Sequence, residues 1–170
     1  MKRAVNNHLS GRGTSRGPDV IKTLKLLEAI AGVAFFLHFV WEMWQIPLYV
    51  GMVEASHGDA VWLCTKATIG DVFMASLAYG AGALVARRFD WLMAPPAVAG
   101  IVYLASGLMM TVVLEYLATE VNGRWAYVDA MPRLPVLGTG IAPVLQWVIL
   151  PMMTLYVSRV VWRGLTLKQD

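Results

Sequence analysis

Four long apolar stretches constrain the fold of this chain more than any other feature. They cover about residues 26–46, 67–86, 96–117 and 137–160, and each is nearly free of charge in its middle. A helix needs about 20 apolar residues to cross the hydrocarbon of a bilayer, so each stretch is long enough to span it. The sequence therefore predicts an all-α fold, a four-helix transmembrane bundle.

The composition also places the chain among membrane proteins. Hydrophobic residues make up 58% of the sequence and charged residues 15%, whereas a soluble domain carries roughly 25% charged residues. The net charge of +3 is not accompanied by any recognised nucleic-acid-reading motif. Nucleic acid is therefore excluded as a partner, and the lipid bilayer is the expected one.

The sequence contains no pattern that predicts a metal site or a cofactor. Cys64 is the only cysteine, which excludes an internal disulfide and any zinc site built on cysteines. His8 and His57 lie outside the apolar stretches, so three histidines are not expected to converge in the bundle. We therefore expect neither a metal nor a cofactor.

The first 25 residues are polar and basic and contain few apolar side chains. Such a segment cannot bury enough apolar surface to offset its ordering entropy, which predicts a disordered basic cytoplasmic tail ahead of a transmembrane domain at residues 26–165. A basic start before an apolar run is also typical of a signal peptide. The run at 26–46 is longer than the about 7 to 15 residues of a signal sequence, and no cleavage pattern follows it. We therefore expect an uncleaved spanning helix.

The distribution of Lys and Arg predicts the orientation, because cytoplasmic loops retain positive charge. With four spans and the amino terminus inside, eleven basic residues fall on the cytoplasmic side and three, Lys66, Arg124 and Arg133, on the other. Both termini are therefore predicted to be cytoplasmic. The expected location is the bacterial inner (plasma) membrane, in which the chain is a multi-pass protein.

Polar side chains interrupt the apolar stretches at similar depths. Counted inward from the predicted outer surface, Glu42 and Asp71 each lie about one turn deep. Glu115 lies near the outer end of the third stretch, and Gln146 lies one or two turns into the fourth. His38 is four residues before Glu42, so the two share one helical face. All four helices are thus predicted to bring polar groups into the outer half of the bundle.

These residues are the candidates for chemistry, because an ionisable group in hydrocarbon costs about 2.5 to 3.5 kcal/mol and normally turns inward to a partner. Three carboxyl groups at one depth need a counter-ion, for which we expect Arg124 or His38. The candidate catalytic residues, acting as general acids and bases, are His38, Glu42, Asp71 and Glu115. The candidate ligand-binding residues are Trp41, Arg124, Gln146 and Trp147, the two tryptophans as inward-facing walls of an apolar pocket.

The segment His38-Phe39-Val40-Trp41-Glu42-Met43-Trp44 resembles the His-x-x-x-Glu-x-Trp pattern of the emopamil-binding (EXPERA) group, which includes sterol isomerases and sterol-binding proteins. The resemblance implies a four-helix membrane core and a pocket that a second acid enters from a later helix, a position to which Glu115 corresponds. Residues 123–146 have no counterpart in that group. The chain as a whole also resembles small bacterial polytopic membrane proteins.

Two functional interpretations follow. In the first, the outer polar residues bind an apolar isoprenoid- or lipid-like ligand, with or without acid and base catalysis, so the sequence leaves open whether the protein is an enzyme. In the second, the chain is a non-catalytic accessory or assembly subunit of a larger respiratory, photosynthetic or transport complex, with other membrane subunits as partners. A purely structural role of the polar residues, fixing the register of the helices, is a third alternative.

Overall fold

The structure is a computed structural model that describes residues 16–166, and it confirms the predicted all-α fold. Four long helices follow one another along the chain: α1 at Arg16–Gln45, α2 at His57–Ala86, α3 at Ala97–Tyr116 and α4 at Ile141–Thr166. Short 3₁₀ turns at Ile46–Leu48 and Trp91–Met93 follow α1 and precede α3, and a π-helical turn at Leu117–Val121 extends α3. The described part of the chain has no β-strand, only two isolated bridge pairs.

Three of these helices are long and apolar enough to cross a membrane: α2, α3 continued to Val121, and α4 up to Leu165. These three helices are typical of a multi-pass membrane protein. The first helix, α1, has 30 residues but carries Glu28, His38 and Glu42. Its crossing of the membrane, like the orientation of the whole bundle, stays a prediction from the sequence.

The helices form a closed ring in which α1 packs on α2 and α4, and α3 packs on α2 and α4. The connections at residues 46–56 and 117–140 lie at one end of this ring, which we call the outer end after the predicted orientation. The connection at residues 87–96 lies at the opposite end, the inner end.

The helix boundaries differ from the predicted ones at three amino-terminal ends, those of α1, α2 and α4. Helix α1 begins at Arg16, so residues 16–25, predicted as part of the disordered tail, are helical; residues 1–15 of that tail lie outside the described residues. Helix α2 begins at His57 rather than near Ala67, because the Ser56 side chain accepts a hydrogen bond from the backbone N–H of Asp59, at 3.2 Å. This is an N-cap, which starts a helix wherever the backbone donors need acceptors and is independent of where hydrocarbon begins.

The predicted start of the second span near residue 67 would place Cys64 in the first outer connection, and the earlier start of α2 corrects this. Cys64 lies in the second turn of α2 and is 3% exposed.

Helix α4 begins later than predicted, at Ile141 instead of Leu137, because residues 133–140 form a tight turn. In this turn Leu134 N donates to Thr139 O at 2.8 Å, and Gly138 has a φ of +68°.

The inner half of the bundle is filled by aromatic side chains. Trp91 is 0% exposed and stacks on Tyr79 at 4.9 Å between ring centroids, and its indole N–H donates to the Tyr79 carbonyl at 3.3 Å. Gly82 is required here, because a Cβ at that position would lie 2.9 Å from the Trp91 ring. The inner half thus holds an aromatic core, in which the Tyr103 hydroxyl has no hydrogen-bond partner among the described residues. The buried carboxyl groups lie in the outer half.

Candidate functional site

The side-chain amide of Gln146 lies at the centre of the polar residues in the outer half. Its Nε2 atom is 2.9 Å from Nδ1 of His38, 3.1 Å from Oε1 of Glu42 and 3.0 Å from Oδ2 of Asp71. These four residues, the polar cluster, come from α1, α2 and α4. The structure therefore brings together four of the residues predicted from the sequence and joins them by direct hydrogen bonds.

The hydrogen count limits how the polar cluster is arranged, because the amide nitrogen of Gln146 has only two hydrogens to donate to its three neighbours. His38 Nδ1 lies 3.3 Å from Asp71 Oδ2. When the imidazole of His38 carries its hydrogen on Nδ1, it can donate this hydrogen to Asp71. Gln146 then donates its two amide hydrogens to Glu42 and Asp71. This tautomer leaves His38 Nε2 as an acceptor, and within the described residues that atom is buried and has no partner.

Glu42 is held from a second side by Gln45, a residue that the sequence did not single out. Gln45 is 2% exposed, and its Nε2 donates to Glu42 Oε1 at 2.9 Å. The Gln45 Oε1 atom accepts the indole N–H of Trp41 at 3.2 Å. The Trp41 side chain is therefore linked to the polar cluster by a hydrogen bond to Gln45. The signal in the sequence was the spacing of three residues from Glu42, which places Gln45 on the same helical face.

Helix α3 contributes a close approach to this site, not a polar group. Gly107 packs so tightly on Trp147 that a Cβ there would lie 2.4 Å from Cε3 of the indole ring. Trp147 is 1% exposed, and its ring lies 5.3 Å from the His38 ring. The absence of a side chain at Gly107 thus allows Trp147 to form an apolar wall beside the imidazole.

The sequence predicted that Glu115 and Arg124 lie with the residues of the polar cluster. In the structure, neither forms a hydrogen bond with that cluster. Glu115 accepts hydrogen bonds from the Tyr127 hydroxyl and, at 3.2 Å, from the Trp125 indole N–H. Arg124 is exposed, and its guanidinium carbon lies 5.4 Å from the Trp125 ring centroid. Arg124 is therefore not the counter-ion of the buried carboxyl groups. Its position in a turn of the outer connection directs the side chain away from the bundle.

Residues 122–140, which we call the outer cap, close the outer end of the bundle. Val50 N donates to Ala126 O at 2.9 Å and Val128 N donates to Leu48 O at 3.1 Å, which joins the cap to the end of α1. The Tyr49 and Tyr127 rings lie 5.4 Å apart. Burial raises the pKa of Tyr127, and the nearby charge of Glu115 raises it further. Tyr127 therefore keeps its proton and acts as a donor to Glu115.

Two buried hydroxyl groups lie between the polar cluster and the outer cap without hydrogen-bond partners among the described residues. Thr68 is three residues before Asp71 on α2, and Thr111 is four residues before Glu115 on α3. Both are nearly inaccessible, at 0% and 4% exposure. Buried polar groups are normally satisfied, so these two hydroxyl groups and His38 Nε2 have unused hydrogen-bonding capacity within the described part of the chain.

The described residues contain no group of three His, Cys, Asp or Glu side chains that could hold a metal ion. Comparison of the chain with protein-family models, with curated proteins and with solved structures finds no match.

Proposed function

We propose that the chain is a multi-pass inner-membrane protein that binds an apolar isoprenoid- or lipid-like ligand in the outer half of its bundle. The observation that supports this best is the unpartnered Nε2 atom of His38, buried beside Trp147 and oriented from its other nitrogen by Asp71. A ligand hydroxyl or amide could donate a hydrogen bond to that atom, while the apolar part of the ligand lies in the bilayer.

Acid and base chemistry is the reaction class that suits this arrangement. An imidazole whose Nδ1 hydrogen is bound by a carboxylate presents its Nε2 lone pair as a general base. Glu42, held by two amide donors, is the candidate for the opposite proton transfer. The aromatic face of Trp147 would stabilise positive charge that develops on the ligand. His38 and Glu42 thus have the proposed catalytic roles, and Asp71 and Gln146 position them.

The segment that runs from His38 through Trp44 resembles the emopamil-binding pattern, and this resemblance supports a sterol-like or isoprenoid ligand. In the proposed site the second acid, Glu115, lies near the end of α3 and accepts a hydrogen bond from Tyr127 of the outer cap, and it makes no hydrogen bond to His38 or Glu42. A conformational change of the cap would be needed for Glu115 to take a direct part.

The test is to purify the protein in a mild detergent and to identify what accompanies it. We expect organic extracts to contain an apolar small molecule at near-stoichiometric amounts. In Glu42→Gln, which keeps the size and the hydrogen bonds of the residue but removes the acid, the protein should stay folded and the molecule should be lost. Glu54→Gln, which removes an exposed acid of the first outer connection, is the matched control and should retain it.

Two results would contradict this function. If stoichiometric polypeptides accompany the protein and no small molecule does, the chain is an accessory or assembly subunit. If Glu42→Gln and Glu54→Gln both retain the same molecules and the same thermal stability as the parent protein, the polar cluster only fixes the register of the helices.

A further inference from the structure

The inner end of the bundle carries a groove of about 360 Å³ that is remote from the polar cluster. It lies between the start of α1, the connection at residues 87–96 and the end of α4. Its lining combines basic, acidic and apolar side chains: Lys22, Leu26, Phe89, Asp90, Met93 and Trp162. A volume of this size is within the range of binding sites for small molecules.

The acid in this groove is already neutralised from within the chain. Arg88 donates two hydrogen bonds to Asp90, from Nε at 2.7 Å and from Nη2 at 2.8 Å. The same guanidinium lowers the pKa of Asp90, so the carboxylate stays ionised and paired. Lys22 makes no ion pair with any described residue. Within the described part of the chain, the groove therefore presents a positive charge without an ion-pair partner.

A second cation lies directly behind the wall of the groove. The guanidinium of Arg159 donates to the carbonyl oxygen of Met93 at 2.8 Å. Its Nε–H is buried and has no acceptor among the described residues. The positive charge of Arg159 is thus only partly compensated and adds to the field of Lys22 in a partly apolar environment, where charge interactions are screened less than in water.

An apolar groove of about 400 Å³ continues from the first one along the contact of α1 and α2. Phe89 lines both grooves. The second groove is lined mainly by apolar or small side chains, among them Leu24, Leu27, Ala31 and Gly80. No heavy atom lies within 4 Å of a Cβ built on Gly80, so this groove has free space at the lipid-facing side of the helices.

We propose that these two grooves together bind one anionic glycerophospholipid from the leaflet that surrounds the inner end. The phosphate lies at Lys22 and in the field of Arg159, and one acyl chain lies along Leu24, Leu27 and Gly80. The charges determine the orientation of the lipid across the two grooves, because Glu28 lines the second groove and would repel a phosphate placed there. A basic pocket between helices at the membrane surface is a typical site for such a headgroup. This site is independent of the function proposed for the polar cluster.

The experiment measures lipid binding by native mass spectrometry of the full chain in a neutral detergent. The probes are phosphatidylglycerol and phosphatidylcholine with identical acyl chains. We expect phosphatidylglycerol to bind more tightly, and Lys22→Gln to weaken it about fivefold without changing phosphatidylcholine, since one basic residue near an anionic headgroup contributes about this factor. Lys66→Gln removes an exposed lysine near the outer end of α2 and should change neither affinity.

A second variant tests the apolar groove. Gly80→Leu places a side chain whose Cβ has no heavy atom within 4 Å into the apolar groove, and it should weaken the binding of both lipids while Lys22 is intact. Equal binding of the two lipids by the parent protein, or equal losses in Lys22→Gln and Lys66→Gln, would overturn the proposal. So would stabilisation by inorganic phosphate that matches stabilisation by phosphatidylglycerol at the same concentration, because the site would then bind a free anion and no lipid.

Discussion

At the scale of single residues, the amide of Gln146 connects three helices in the outer half of the bundle. It is 2% exposed and lies within hydrogen-bond distance of an imidazole and two carboxyl groups. Hydrogen bonds that involve charged groups are stronger than neutral ones, and an acceptor that loses its donor in a buried place keeps the full cost of its desolvation. The stability of this region should therefore depend on this one side chain.

We predict that Gln146→Met lowers the free energy of unfolding by about 1 to 3 kcal/mol, because Glu42 and Asp71 lose a donor and the new side chain cannot replace it. The control is Leu145→Met, a substitution of similar volume at a neighbouring position that is 44% exposed. Thermal unfolding in detergent compares the two. Equal midpoints for both variants would show that the amide has no part in holding the helices together.

Glu42→Leu is expected to destabilise for the complementary reason. Gln45 and Gln146 both donate to Oε1 of Glu42, and a leucine leaves these two donors without an acceptor in the same buried place. We expect a loss of about 1 to 3 kcal/mol, whereas Glu42→Gln retains an acceptor and should lose much less. A leucine variant as stable as the parent would indicate that water satisfies both amides.

The convergence of His38, Glu42, Asp71 and Gln146 could be predicted because depth in a helix follows directly from residue count. The placement of Arg124 could not, since it depends on the backbone of the outer cap and no periodicity describes that segment. Tyr127 was missed for the same reason: its hydrogen bond to Glu115 joins residues that only the fold of the cap brings together.

At the scale of helices, α3 and α4 approach each other through one glycine and one tryptophan. Gly107 leaves the space that the Trp147 ring occupies, and Trp147 in turn contacts the His38 ring. The packing of these two helices is thereby linked to the geometry of the polar cluster. Hydropathy alone cannot show this link, because glycines in α3 have the same hydropathy whether they face a neighbour or lipid.

Gly107→Ala should destabilise the protein by about 1 to 3 kcal/mol, because the added methyl group overlaps the indole ring in a filled core. Gly100→Ala is the matched control on the same helix, where no atom lies within 4 Å of the new Cβ. There the change should be neutral or stabilising by up to about 1 kcal/mol, since alanine is the better helix former. If both variants unfold at the same temperature, the close contact of Gly107 with Trp147 is not present in the protein.

At the scale of the whole molecule, the two halves of the bundle differ in chemistry. The inner half has an aromatic core around Trp91, and the outer half has buried ionisable groups covered by the cap. Four apolar stretches were enough to predict the number of helices, because the need to satisfy backbone polar groups leaves a helix as the form of a single span. Their ends could not be predicted from hydropathy, because α1 and α2 continue past the apolar residues into polar sequence.

The predicted orientation, with both termini inside, needs a test that does not use Cys64. That thiol is 3% exposed, so its failure to react with a maleimide would report burial and not its side of the membrane. A Cys64→Ala background removes it. Exposed positions in the three connections then supply single reporters: Glu54→Cys and Asp129→Cys at the outer end and Ala94→Cys at the inner end.

We expect a membrane-impermeant maleimide to label Glu54→Cys and Asp129→Cys in intact cells and to label Ala94→Cys only after lysis. The reason is the predicted sorting of charge, since in a four-span topology eleven basic residues are expected on the side of Ala94 and three on the other. Reporters fused at both termini should be active in the cytoplasm. Labelling of Ala94→Cys from outside would invert the bundle. An amino-terminal reporter on the same side as Glu54 would show that α1, the helix with the most buried charge, does not cross the membrane, and the polar cluster would then have to be reached from water.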